Sequence, residues 1–142
     1  VIGLSKYKIG VDVETLDRPV EIYKMSEFLF SERELIEFNA LNKNLQKEAF
    51  INAWTRKEAF VKANAGNLNF PLHQLEISFI PGQKAILKNT EWSSFEKNNW
   101  SIESIELNKN CKCAVAINTK QSSLEVKPLR QFEEQFDLKQ PI

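Results

Sequence analysis

Charge of one sign is what this sequence most plainly lacks. Lys and Arg number 19, Asp and Glu number 19, and the formal net charge is zero. Non-specific nucleic-acid binding needs a basic surface that displaces counterions, and attachment to anionic membrane needs a basic patch. A neutral chain suits neither, so no nucleic acid and no membrane is expected as a partner. Long apolar runs are missing too. The stretch C-A-V-A-I at 113–117 is typical of those present, whereas a membrane span needs ~20 residues. No signal-peptide pattern opens the sequence. Histidine is reduced to His73, and cysteine to Cys111 and Cys113. A C-x-C pair on a strand puts both thiols on one face, in geometry unsuited to bridging each other. A metal site there would need two further ligands, and His73 sits in a distant loop. The thiols read as reduced, which points to a cytoplasmic location.

What is present is ordinary globular material. The 142 residues are 42% hydrophobic and 27% charged, unlike a disordered chain. That is one domain, large enough to bury roughly two thirds of its unfolded surface. Residues 1–118 are assigned to this domain, and 119–142 to a polar tail packed on or near it, with 131–136 its only helical hint. The first residue is Val1 rather than Met, and V-I-G-L reads as a strand already under way. The expectation is therefore a piece of a longer chain or a processed product.

Periodicity gives the order of elements. Residues 1–4 and 8–13 read as two strands; Ile9, Val11 and Val13 alternate with Gly10, Asp12 and Glu14. Residues 20–28 form a short helix after the break at Pro19. Ser31 with Glu34 three residues on has capping-box spacing and opens a helix over 32–41. The longest helix covers 45–63, free of Gly and Pro, with Gly66 as its stop. Strand signals then follow at 75–80, 85–87, 92–95, 100–107 and 111–117, with turns at Pro81-Gly82, Asn89-Thr90 and Asn108-Lys109-Asn110. The class is α+β: an antiparallel sheet packed against a helical block with one long central helix.

Three carboxylates stand out by position. Asp12 and Glu14 share one face of a strand, while Val11 and Val13 are expected to face the core. Two adjacent carboxylates repel unless a cation lies between them. A hard, water-retaining ion such as Mg²⁺ answers that need; a solvated strand end with basic neighbours answers it too. The third is Glu58 in W-T-R-K-E-A-F-V-K-A. Trp54, Glu58 and Lys62 recur every four residues and so form one stripe, with Lys57 beside it. A carboxylate between two lysines suits a metal-bound phosphate. The alternative is a surface Glu58–Lys62 pair of a few tenths of a kcal/mol, with Trp54 packing the helix onto the sheet. The long helix also carries Lys47, Glu48 and Arg56, and this excess of positive charge points to an anion or to a solvated face.

Together, I-G-V-D-V-E (9–14) and, some forty residues later, W-T-R-K-E-A-F-V-K (54–62) resemble the paired signature of 4′-phosphopantetheinyl transferases. Gly10, Asp12, Trp54, Thr55, Lys57, Glu58, Ala59 and Lys62 match the fixed positions of that pattern. Arg18-Pro19, the F-S-x-x-E of residues 30–34, and Gly66 followed by Pro71-Leu72 occur in the order found in the two-domain, surfactin-activating branch. The resemblance covers residues 1–117. It implies the fold of that family and Mg²⁺-dependent transfer of phosphopantetheine from coenzyme A to a serine of an acyl or peptidyl carrier protein. It implies Asp12, Glu14 and Glu58 as metal ligands, and Lys57 and Lys62 as phosphate-binding groups. Lys62 would assist the leaving group. Glu58 or Glu34 would take the serine proton, although capping alone accounts for Glu34. Residues 28–38 would face the carrier protein. The Ser-His-Ser element of the two-domain branch is not found, so the chain is expected to be the C-terminal half of a pseudo-symmetric enzyme, completed by an N-terminal half. The alternatives are a single-domain holo-acyl-carrier-protein synthase acting as an oligomer, a non-catalytic module binding a carrier protein or a metal-pyrophosphate, and a structural domain.

Overall fold

A computed structural model describes residues 1–65, 70–120 and 124–127. Strand β1 (Ile9–Thr15) leads into helices α1 (Ile22–Leu29), α2 (Glu32–Asn39) and α3 (Lys43–Ala63). Strands β2 (Leu75–Ile77), β3 (Leu87–Thr90), β4 (Ser101–Asn108) and β5 (Cys111–Ile117) follow, with 3₁₀ turns at Leu72–Gln74 and Glu96–Asn98. The strands form two antiparallel sheets, one of order β1-β5-β4 and one pairing β2 with β3. The class is α+β, as expected. Among the described residues no helix is long and apolar enough to cross a membrane.

Helix α3 organises the molecule. No Gly or Pro interrupts its 21 residues, and it is buried on most sides because the large sheet covers one flank while α1 and α2 cover another. Its small residues set how close the sheet comes. An added Cβ at Gly10 would lie 2.0 Å from the carbonyl oxygen of Ala59 and 2.3 Å from the nitrogen of Ala63. Opposite Gly10 stands Ala116, and opposite Asp12 stands Ala114. A Gly/Ala surface lets the helix settle on the sheet; larger side chains would hold it off.

That contact decides which face of β1 is inside, and it reverses the expectation for Val11 and Val13. Gly10 and Asp12 are buried against α3, whereas Val11 and Val13 are only half-buried on the opposite face. Alternation shows that two faces differ but not which one a helix will cover.

Other expectations also change. Residues 1–4 form no strand; Gly3 lies against the side chains of Ile9 and Val11 instead. Residues 92–95 are turns, because the Thr90 hydroxyl donates to the Ser93 carbonyl at 2.7 Å and the Ser93 hydroxyl accepts from the Phe95 amide at 3.3 Å. Such local bonds compete with a strand ladder. Asn89-Thr90 is part of β3, and the chain turns at Glu91-Trp92. The turn at Pro81-Gly82 forms as expected, with Gly82 at φ +83° and the Gln83 amide donating to the Ile80 carbonyl at 3.1 Å. Ala65, at φ 51°, takes the left-handed position after α3. Gly66, the expected stop, lies outside the described residues, as do the helical hint at 131–136 and most of the tail.

Candidate functional site

Asp12 projects from the inner face of β1 towards the end of α3. Its Oδ1 accepts from Lys62 Nζ at 2.5 Å. Its Oδ2, by contrast, is buried without a hydrogen-bond partner, and no other described side-chain oxygen or nitrogen is in that position. A carboxylate oxygen left dry and unpaired is costly. Burial accordingly pushes the Asp12 carboxyl above the usual aspartate range, against the pull of Lys62.

Glu58 stands one helical turn before Lys62. Its carboxyl is also raised, first by burial and then by the negative charge of Asp12, with Lys62 acting the other way. Glu14 adds to the negative field on both Asp12 and Glu58. Lys62 is held above the usual lysine range by its hydrogen bond to Asp12, and its side chain remains half exposed. The structure thus brings together Asp12, Glu14, Glu58 and Lys62, four of the six residues expected from the sequence.

The residues present would suit a cation on two grounds: the orphaned Asp12 oxygen, and neighbours that are hard carboxylates. Among the described residues, no three His, Cys, Asp or Glu side chains form a ready-made metal cage. An ion such as Mg²⁺, which keeps several waters and takes one or two carboxylates together with substrate phosphates, would not need such a cage.

Sequence reasoning assigned no chemistry to Arg18. Its guanidinium bonds Glu14 at 2.6 Å and lies over the Trp54 ring at 5.6 Å. Trp54 in turn stacks on Phe50 at 6.2 Å, among the apolar residues around α1 and α2 rather than on the large sheet. Trp54 therefore supports Arg18, which braces Glu14. The signal was the i, i+4 spacing of Glu14 and Arg18, obscured because it spans the end of a strand.

Lys57 and Glu34 stand elsewhere. One residue along a helix is a turn of about 100°, so Lys57 points away from Glu58 into the interior and is fully buried. Its ammonium donates to Glu34 Oε2 at 2.5 Å, the Leu29 carbonyl at 2.6 Å and the Leu72 carbonyl at 3.1 Å. An ammonium has three protons to give, and all three are engaged. Glu34 forms the capping box with Ser31, and its Oε1 accepts from the Ile77 amide at 2.7 Å. The β2–β3 register shifts at that point, where an amide is diverted to a side chain. Burial raises the Glu34 carboxyl and lowers the Lys57 ammonium, each opposed by the other's charge. The pair ties α1, α2, α3 and β2 together. In this structure Lys57 has no proton to spare for a phosphate, while Glu34 accepts three hydrogen bonds and keeps one acceptor site on Oε1.

Comparisons with known proteins point the same way as this geometry. Residues 8–116 match the family model described as the 4′-phosphopantetheinyl transferase superfamily. The chain is 28% identical over 114 residues to the 4′-phosphopantetheinyl transferase gsp of Aneurinibacillus migulanus, covering 80% of this chain and 45% of that protein. It is 27% identical over 110 residues to the 4′-phosphopantetheinyl transferase HetI of a Nostoc species, covering 78% and 43%. The chain thus spans less than half the length of these relatives. Among solved structures it is similar to a holo-(acyl-carrier-protein) synthase from Bacillus anthracis in complex with CoA (3′,5′-ADP). The TM-score is 0.59 at 21% identity, covering 80% of this chain and 97% of that one. That likeness concerns the fold. With 109 consecutive positions under one family model, the chain belongs to the 4′-phosphopantetheinyl transferase superfamily.

Proposed function

We propose that this domain takes part in transferring the 4′-phosphopantetheine arm of coenzyme A to a serine hydroxyl of an acyl or peptidyl carrier protein. In that reaction the serine oxygen forms a new bond to the phosphorus that bears the pantetheine arm. The bond to 3′,5′-ADP breaks, and the serine proton must go to a base. The observation that carries the reading is the buried, unpartnered Asp12 Oδ2 beside Glu58, Glu14 and the half-exposed Lys62.

Asp12, Glu58 and Glu14 would hold Mg²⁺. Bound there, the ion would neutralise pyrophosphate oxygens and stabilise charge as the bond to the leaving group breaks. Lys62 would give its exposed protons to the pyrophosphate and bear the growing negative charge of the leaving 3′,5′-ADP. Glu58 is our choice for the base because of its position beside Asp12 and Lys62. Arg18 would fix Glu14, and the Lys57–Glu34 pair would fix the helix that carries Glu58 and Lys62. The adenine end of the coenzyme is assigned to a second, pseudo-symmetric half rather than to this domain, and the setting to the cytoplasm.

The test has two readouts. Titration with Mg²⁺ in the presence of pyrophosphate should raise the Tm and lower the apparent pKa of Asp12 and Glu58, because a cation favours the ionised carboxylates. Asp12→Asn should remove both effects. A tagged coenzyme A should label a carrier domain only with Mg²⁺, and the same variant should lose several kcal/mol of transition-state stabilisation, about 3 kcal/mol or more. Full labelling by Asp12→Asn would sink the metal assignment.

A further inference from the structure

The positive excess of α3 is not used up at the carboxylate cluster. Glu48, Asn52 and Arg56 recur every four residues, as Trp54, Glu58 and Lys62 do, and positions 52 and 54 lie about 200° apart around a helix. The two stripes therefore look out on opposite sides of α3. The second one lines an open groove of about 680 Å³ between α3, the turn at 82–84, β4 and the start of β5. That volume is in the range of small-molecule sites, roughly 300–1,000 Å³.

At its floor lies Arg56, only 4% exposed. The guanidinium donates to the Ser78 carbonyl at 2.5 Å, the Ser104 hydroxyl at 3.1 Å and the Gln83 carbonyl at 3.4 Å. All three acceptors are neutral. No carboxylate among the described residues pairs with Arg56, although Glu48 and Glu106 line the same groove. Glu48 is spent on Lys112 at 2.5 Å. Apart from that pair, the lining holds Arg56, Lys84 and Lys109 against Glu106 alone. Burial lowers the Arg56 pKa only to about 10, so the group stays charged at neutral pH. A buried cation is ordinarily paired; here three of five donors are used and no described carboxylate matches the charge.

We propose that this groove is a binding site for a phosphate group carried by a small molecule, held by the remaining Arg56 N–H donors with Lys84 and Lys109 at the rim. Its two remaining donors, Nε–H and one Nη1–H, point in different directions, so each can give one charge-assisted hydrogen bond to a phosphate oxygen. The groove is across α3 from the carboxylate cluster, so its ligand is separate from the group that the cluster would transfer.

The experiment is a titration of the 142-residue chain with inorganic phosphate, reading the Nε–Hε NMR signal of Arg56. A saturating shift in the millimolar range is expected, and it should persist in Lys62→Ala, which removes the phosphate ligand of the other site. Arg56 also pins the 78–83 segment, so its replacement could unfold the chain. The exposed rim lysines offer a safer variant. Lys84→Gln with Lys109→Gln should weaken binding about fivefold at unchanged Tm. Acetate at equal ionic strength should bind more weakly. A linear shift, binding untouched by the double variant, binding lost in Lys62→Ala, or acetate binding as tightly would each overturn the proposal.

Discussion

At the scale of residues, the chain keeps costly groups for two different purposes. Asp12 and Glu58 are carboxylates whose native state holds protons more firmly than the unfolded chain does. The native state then binds more protons through the window from the ordinary carboxylate range up to the raised values. Stability falls as pH rises through that window, and the loss persists above it. Glu58→Gln should therefore raise the Tm at neutral pH, with the gain vanishing at acid pH where both states are protonated, while labelling of a carrier domain is lost. Parallel melts across pH check this, and a lower Tm at neutral pH would contradict it. The Lys57–Glu34 pair is different, since each member is satisfied within the fold. Lys57→Met leaves a buried carboxylate without its counter-charge and should cost about 3–5 kcal/mol in chemical denaturation. Adding Glu34→Gln should return much of that loss, because it removes the stranded charge. The sequence made Lys57 and Lys62 equivalent as cations near a carboxylate. Only their angular positions around α3 separate a buried strut from a half-exposed donor.

At the scale of elements, the contact between α3 and β1 positions the chemistry. Gly10 lets the strand approach until a Cβ would collide with the helix backbone, and Asp12, two residues on, is thereby brought to Lys62. Gly10→Ala should push the strand off the helix. The expected cost is about 2–3 kcal/mol, with the Asp12–Lys62 contact loosened and the carboxyl pKa of Asp12 drawn back towards its ordinary value as water enters. NMR titration of the Asp12 carboxyl in this variant measures the second effect independently of stability. Much of this scale was legible in advance. The capping box at Ser31 and Glu34, the long uninterrupted helix, and β5 follow from short-range rules and form as read. Residues 1–4 and 92–95 do not form strands, because strand residues count only when a partner is free to pair. At 92–95 serine and threonine side chains satisfy the backbone locally instead.

At the scale of the whole molecule, one helix separates two regions of unbalanced charge. On one side of α3 three carboxylates gather around Lys62 and Arg18; on the other, an arginine with no carboxylate partner among the described residues faces a groove. A net charge of zero conceals this, because summing charges discards their positions. The sequence by itself determined the α+β class, the helix limits to within about two residues, and the paired motif that identifies the family. These rest on local spacing, capping and residue chemistry, which act within a few residues along the chain. Tertiary structure alone decided that Gly10 and Asp12 face the helix while Val11 and Val13 face outwards, that Lys57 is buried and Lys62 accessible, and that Arg56 meets only neutral acceptors among the described residues. Each depends on which surfaces approach one another, and that is set by packing between residues distant in the chain, where a glycine opposite an alanine permits what a larger side chain forbids.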